Sequence, residues 1–396
     1  MFFEFAEVLL SLLIRETARG ILRAYNGVKL FTTGEFAVVN RASHRLLIEQ
    51  RLLKLRRYSS RRRSRSRIPV LLIPPLMVRP DVFDLLPERS LVRALLDQGF
   101  DVFLVDLGEP LRRDRRLSMD DYITKRIHRS VRKIKQVTGH QELTLIGYCM
   151  GGIFANLYGA LYPHEGVRNI INLAAPTDFE VMSGYQHLGT VIGSPLWTLV
   201  EQRGMVPAAV CQSVFQLSQP LKTLTQPLKL LWNLWNTEYV LTQRAISHWM
   251  NNFLNLPEAT FKQFWTQIFR ENRLYQGTFV INGTEVDFQN IQGSYLALAG
   301  ESDHLISSES VFSILDLIGS QDKTCDFVPG GHLGVLVGED SATTARLIGD
   351  WLTPRSRTRA TLSFQSATRR SYSKKQPVSD AVPANHPIDV SRVANY

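Results

Sequence analysis

The sequence predicts an α/β fold, a mainly parallel, doubly wound sheet carrying a largely helical lid insertion, and two observations lead there. Short apolar runs recur at Ile68 to Ile73, Val102 to Val105, Leu143 to Ile146, Ile170 to Leu173, Tyr295 to Ala299 and Cys325 to Val328, with helix-like segments at Arg89 to Gln98 and Met119 to Val137. Runs that stay apolar belong to strands covered on both faces, and strands separated by helices pair in parallel. That alternation breaks between about residues 179 and 290, where Trp197, Trp232, Trp235, Trp249, Trp265 and several phenylalanines occur without strand punctuation. The segment reads as a helical lid over the carboxyl ends of the strands, where such sheets place their sites. A chain of 396 residues can bury one large core with this insertion, and shares of 44% hydrophobic and 21% charged residues exclude wholesale disorder.

Taken in order, residues 1 to 67 read as an N-terminal helical segment and an arginine-rich linker. Phe5, Val8, Leu9, Leu12 and Leu13 recur at helical spacing, and the phase continues through Ile21 and Leu22, so residues 1 to 55 read as helix. Met1 to Leu13 is too short for a bilayer span and lacks the basic leader of a signal peptide. Eight basic residues from Lys54 to Arg67 have no acid among them, and Tyr58 to Arg67 reads as a solvated spacer. No aromatic interleaving accompanies this run, so nucleic acid is not an expected partner. Residues 68 to 354 form the sheet region with its lid. Residues 355 to 396 turn to Ser, Thr, Arg, Ala and Pro and read as a basic, disordered tail. The net charge of +10 therefore belongs to linker and tail, and the body between them is slightly acidic.

The stretch Leu143 to Gly152 carries the chemistry. An apolar run ends at Gly147, presents Cys149, and passes through Gly151 and Gly152 into a helical segment. This is the strand, sharp turn and helix of a nucleophile elbow, with cysteine where the hydrolase motif G-x-S-x-G has serine, so the fold is α/β-hydrolase-like. The thiolate is the reactive form of cysteine, so Cys149 needs a base and the base an orienting acid. The chain order in this architecture is nucleophile, acid, histidine. Asp303 follows the fifth apolar run and His332, in a Gly-rich turn, follows the sixth, which makes them the candidate acid and base. His304, adjacent to Asp303, is expected to support the site from behind. An oxyanion hole needs two backbone donors. Met150, next to the nucleophile, supplies one, and Leu76 or Met77, after the first run, the other. Cys211 and Cys325 read as structural, and Asp106 and Asp178 as turn or cap residues. The three cysteines show no disulfide or metal spacing, so no metal is expected and a reducing, cytoplasmic setting is.

Cysteine in this position favours transfer over hydrolysis. Thiolate attack on a thioester exchanges sulfur for sulfur and keeps the acyl group activated, whereas serine would form a more stable ester.

Gly147-Tyr148-Cys149-Met150-Gly151-Gly152 resembles the lipase-like box of polyhydroxyalkanoate synthases. The likeness continues through Gly99 to Gly108, Met119 to Ile123, Ala175 to Phe179, Glu271 to Leu274, Asp303-His304 and Gly331 to Val335, and is greatest toward the short class III type, which works with a second subunit. Leu107 stands where the family usually has tryptophan, and Met150 where glutamine is common in class III. The resemblance implies that Cys149 takes a 3-hydroxyacyl group from coenzyme A and that His332 activates the thiol. Asp303 would assist His332 or activate the hydroxyl of the incoming unit. It further implies a growing polyester chain as product, a non-catalytic partner subunit, a homo- or hetero-oligomer, and a cytoplasmic location at polyester granules. No cofactor is implied, because coenzyme A enters as the thioester and leaves as product. The rival readings are a thioesterase or other acyltransferase of the same fold, and a non-catalytic granule-associated protein.

Overall fold

The computed structural model describes residues 14–28, 41–58, 67–182, 193, 195–217 and 220–357. An eight-stranded sheet forms the centre, built from β1 (His44–Gln50), β2 (Leu53–Tyr58), β3 (Val70–Ile73), β4 (Val102–Asp106), β5 (Leu143–Tyr148), β6 (Val167–Leu173), β7 (Ser294–Gly300) and β8 (Lys323–Val328). The spatial order is β1-β2-β4-β3-β5-β6-β7-β8. Strands β3 to β8 pair in parallel, whereas β1 and β2 form a hairpin antiparallel to each other and to β4. Every residue of β3 and β5 is buried, as uninterrupted apolar runs require.

The hairpin corrects the reading of residues 1 to 55 as helix. A helix (α1) does occupy 14–28, but 44–58 is a strand hairpin. In β2, Leu53 and Leu55 are buried while Lys54 is only partly so, a period of two that the helical phase concealed. The same strand corrects the reading of the basic run: Tyr58, where the expected solvated spacer begins, ends β2 buried, and the arginines before it are paired. Arg56 bridges Asp81 at 2.7 Å and Asp106 at 2.8 Å, and Arg57 grips Asp101 at 2.8 and 3.1 Å. Arg67, at the other end of the run, donates to the Gln98 carbonyl at 2.7 Å and lies over the Phe100 ring. The stretch from 59 to 66 between them, the apolar residues 1 to 13 and the tail from 358 onward lie outside the described residues.

Helix α2 (Leu91–Asp97) packs with the C-terminal helix Ser341–Arg355, and α4 (Met150–Leu161) packs on β5 and β6. Before α4 comes α3 (His128–Thr138), entered through a π-helical turn at Asp121–Ile127. The C-terminal helix runs through Arg355, past the predicted end of the core at residue 354.

The insertion is largely helical, as predicted. It comprises a helix over 195–203 (α5), α6 (Ala208–Leu217), α7 (Pro220–Trp232), α8 (Thr237–Met250) and α9 (Glu258–Gln263), which runs into a π-helical turn at Phe264–Arg270. Two short antiparallel pairs, Met205–Val206 with Leu256–Pro257 and Val280–Ile281 with Thr284–Glu285, also belong to it. Polar clasps fix the lid to the core. Asp120 accepts from the Gln263 side chain at 2.6 Å and the Asn282 N–H at 2.8 Å, and Asp178 accepts from the Asn272 amide at 2.8 Å. The helix over 14–28 docks on this lid, where the buried Asn26 donates to the Leu234 carbonyl at 2.6 Å. Among the described residues no helix is long and apolar enough to cross a membrane.

Candidate active site

Cys149 stands between β5 and α4 with φ 52° and ψ −126°, a conformation strained for any side chain but glycine. What holds it there is the close passage of backbone on either side. A Cβ on Gly147 would strike the backbone of Gly151 and Gly152, and one on Gly151 would strike the Ile73 carbonyl oxygen. Glycine at both positions lets the helix start directly beside the strand end. The Cys149 N–H donates to Leu173 O at 3.0 Å, tying the elbow to β6. Its thiol is half-buried.

Asp303 follows β7 and His332 follows β8, and the structure brings both to Cys149. His332 Nδ1 lies 2.8 Å from Asp303 Oδ2, with 2% and 1% of the respective side chains exposed. The other carboxylate oxygen, Oδ1, accepts the Leu305 N–H at 2.9 Å and the Ile306 N–H at 3.0 Å. Asp303 is thus committed on both oxygens. With Nδ1 engaged by Asp303, the remaining ring nitrogen is the one left for Cys149, whose sulfur lies near enough to act on the charge of the imidazole. The Tyr148 hydroxyl donates to the His332 carbonyl at 2.9 Å and steadies the turn that carries the histidine.

Burial lowers the pKa of His332, but the Cys149 charge and the hydrogen bonds to Asp303 and Cys149 outweigh it and push the imidazole up to about 10. Tyr148 moves the same way, because burial and the negative charge at Cys149 and Asp303 disfavour its phenolate. The arrangement can move a proton between sulfur and imidazole while the carboxylate holds the ring and balances its charge.

Cys149 opens on a cavity of about 250 Å³ lined almost wholly by apolar side chains, among them Ile153, Phe179, Phe253, Phe261, Trp265 and Phe269. The lid aromatics brace one another, with Trp265 stacked on Phe269 at 4.8 Å. Trp265 and several phenylalanines of the insertion therefore line the space at the reacting sulfur as well as forming lid core. Water is poorly held in such a space, which protects a thioester bond.

The expected oxyanion donors are placed unequally. Met150 begins α4, where a first-turn N–H has no partner within the helix, and both it and Met77 line the cavity. Leu76 is buried and is not part of the cavity wall. His304 is exposed to solvent and lies off the cavity, so its place behind the acid is corrected: the chain turns outward directly after Asp303. Cys211 lines the cavity, its thiol pushed up to about 12 by burial. Cys325 falls within a strand, the edge strand β8, and is exposed there. Asp106 and Asp178 serve in turns and clasps: Asp106 accepts the Gly108 N–H at 3.0 Å, and Asp178 the Glu180 N–H at 2.9 Å.

Sequence reasoning missed Tyr148, Asn272 and Phe215. Asn272 sits at φ 48° with its amide on Asp178 and its carbonyl oxygen accepting from Phe179 N–H at 2.9 Å. Two stretches of the resemblance, Ala175 to Phe179 and Glu271 to Leu274, thus meet as one joint between lid and core. Among the described residues no group of three histidine, cysteine or carboxylate side chains could hold a metal ion.

The profile of the alpha/beta hydrolase fold matches residues 79–339. The chain is 32% identical over 323 residues to the poly(3-hydroxyalkanoate) polymerase subunit PhaC of Haloferax mediterranei, an alignment covering 81% of this chain and 65% of that one. It therefore spans just under two thirds of the length of that relative. The polymerase subunit PhaC of Allochromatium vinosum is 30% identical over 290 residues, covering 73% of this chain and 81% of the relative. Among solved structures, a soluble variant of monoglyceride lipase from Saccharomyces cerevisiae superposes with a TM-score of 0.51 at 13% identity, covering 80% of this chain and 97% of the lipase. That likeness concerns the fold alone.

Proposed function

Since the chain belongs to the poly(3-hydroxyalkanoate) polymerase family, built on the alpha/beta hydrolase fold, we propose that it joins 3-hydroxyacyl groups from coenzyme A thioesters into a polyester. The observation that carries this reading is the His332–Asp303 pair at 2.8 Å beside a cysteine elbow that opens on an apolar cavity. His332 takes the thiol proton of Cys149, and the thiolate attacks the thioester carbonyl. Negative charge collects on the carbonyl oxygen near the start of α4, where the Met150 N–H, with Met77, supplies the donors. The carbon–sulfur bond to coenzyme A breaks, and the departing thiolate takes the proton back from the imidazolium. In the second half, His332 takes the proton of a hydroxyl, either of a new hydroxyacyl unit or of the chain end. The alkoxide attacks the acyl-enzyme, an ester forms, and the Cys149 thiolate leaves.

Asp303 orients and balances His332 in both halves. Its full commitment to His332 and to two backbone N–H groups supports this role over direct activation of the hydroxyl. No metal or prosthetic group enters the reaction. A second, non-catalytic subunit, an oligomeric assembly and a place at the surface of the polymer granule belong to the same reading, as does the class III type.

The test is incubation of the purified chain with 3-hydroxybutyryl-coenzyme A, with and without a candidate second subunit. Thiol release accompanied by polymer, both lost in Cys149→Ala, is the expected result. Thiol release yielding only free hydroxyacid would make the chain a thioesterase, and polymer formation in cells unchanged by Cys149→Ala would rule out the catalytic reading.

A further inference from the structure

Two cavities meet at one side chain. The cavity at Cys149 measures about 250 Å³, below the roughly 300 to 1,000 Å³ of sites that enclose a drug-sized ligand. A second cavity of about 550 Å³ lies between α6, α7, α8 and the segment after His332, with Leu230, Ile246, Met250, Leu333 and Val337 among its walls. Among the described residues, Phe215 alone lines both. Its ring stands 5.8 Å from Phe253 and 6.4 Å from His332, so it closes the acyl cavity on the side of the base.

The remaining aromatic walls are built differently. Phe261 lies 5.6 Å from Trp265, Trp265 stacks on Phe269, and Phe179 meets Phe264 edge-on at 5.9 Å. Those rings brace one another along the cavity wall. Behind Phe215 lies the open, partly apolar space of the second cavity. A longer acyl chain attached to Cys149 therefore meets packed aromatics on one side and a single removable ring on the other.

We infer that Phe215 is the partition that sets the length of acyl chain the site accepts, and that the second cavity is a closed-off extension of the acyl site. This rests on the acyltransferase reading. Shortening the ring joins the two spaces and admits medium-length 3-hydroxyacyl groups, whose ends then reach Ile246, Met250 and Leu333.

The experiment measures acylation of Cys149 by 3-hydroxybutyryl-, 3-hydroxyhexanoyl- and 3-hydroxyoctanoyl-coenzyme A, and compares kcat/KM for the octanoyl and butyryl donors. Their ratio cancels any disturbance of His332, since both donors use the same base. Each newly buried methylene contributes a factor of roughly four, and four are added, so Phe215→Ala raises the ratio by at least about tenfold. Phe215→Leu, a milder change, raises it less. Adding Ile246→Trp puts bulk where the end of a longer acyl chain would lie and returns the ratio of Phe215→Ala toward that of the unaltered chain. A ratio unmoved in both Phe215 variants overturns the inference, and so does a rise that survives Ile246→Trp. Absence of Cys149 acylation by every donor in the unaltered chain instead overturns the acyltransferase reading beneath it.

Discussion

Replacing Asp303 by asparagine tests the site at its most constrained point. In the native site Oδ1 accepts two backbone N–H groups, from Leu305 and Ile306, while Oδ2 faces His332 Nδ1. An amide keeps only one acceptor oxygen. The two N–H donors claim it, which turns the new NH₂ group toward Nδ1. Two donors cannot share that contact, so His332 must present the Nδ1 lone pair and carry its proton on the nitrogen facing Cys149. In that tautomer the ring cannot take the thiol proton, although fold and cavity are intact. The corresponding change in a Ser-His-Asp site lowers kcat by about 10⁴. A loss of about 10³ to 10⁴ is expected here, equivalent to roughly 4 to 5.5 kcal/mol of transition-state stabilisation. Stopped-flow thiol release from 3-hydroxybutyryl-coenzyme A, alongside iodoacetamide alkylation of Cys149, measures it, and both rates should fall. A full single burst of thiol with only later chain growth abolished would refute the reasoning, because it would place Asp303 on the incoming hydroxyl.

Three further outcomes follow from the geometry. The imidazole of His332 is raised from its ordinary 6.5 to about 10 in the folded chain, so its charged form stabilises the native state fully below about pH 6.5. That contribution is lost as pH rises through 10, and urea midpoints should fall across this window in the unaltered chain but not in His332→Gln; parallel profiles would contradict it. Gly151→Ala drives a methyl into the Ile73 carbonyl oxygen and should cost about 1 to 3 kcal/mol in urea denaturation together with most of the Cys149 alkylation rate; an unshifted midpoint would show that the elbow can relax. Arg56→Met leaves Asp81 and Asp106 facing each other across a mostly buried space, with Arg41 still 3.1 Å from Asp81, and should cost about 3 kcal/mol; a loss below about 1 kcal/mol would mean that water enters and solvates them.

What the sequence disclosed was whatever is encoded locally. The elbow shows itself because Gly147, Cys149 and Gly151 must stand at fixed spacing for one backbone crossing. Asp303 shows itself because it follows an unbroken apolar strand, and His332 because it stands in a glycine-rich turn after the last strand. The hairpin β1–β2 did not, because its few leucines fit a helical phase as well as a period of two. The arginines of β2 find their acids 25, 44 and 50 positions away, so a run of charge looked unbalanced when it was not. The choice between Leu76 and Met77 turned on which of two neighbours faces a cavity from irregular backbone, which no periodicity encodes. Phe215 was hidden for a related reason, since its significance lies in the empty space on both sides of it.

The position of β1 and β2 decides how far this chain can be shortened. A chain begun at residue 68, where the apolar runs start, would discard both strands. It would bare the backbone edge of β4 and strip Asp81, Asp101 and Asp106 of Arg56 and Arg57. An unprotected edge beside carboxylates that have lost their arginines invites self-association. The smallest piece that keeps the sheet closed on this side starts ahead of His44, and the arginines that looked like a tether are part of what must be retained.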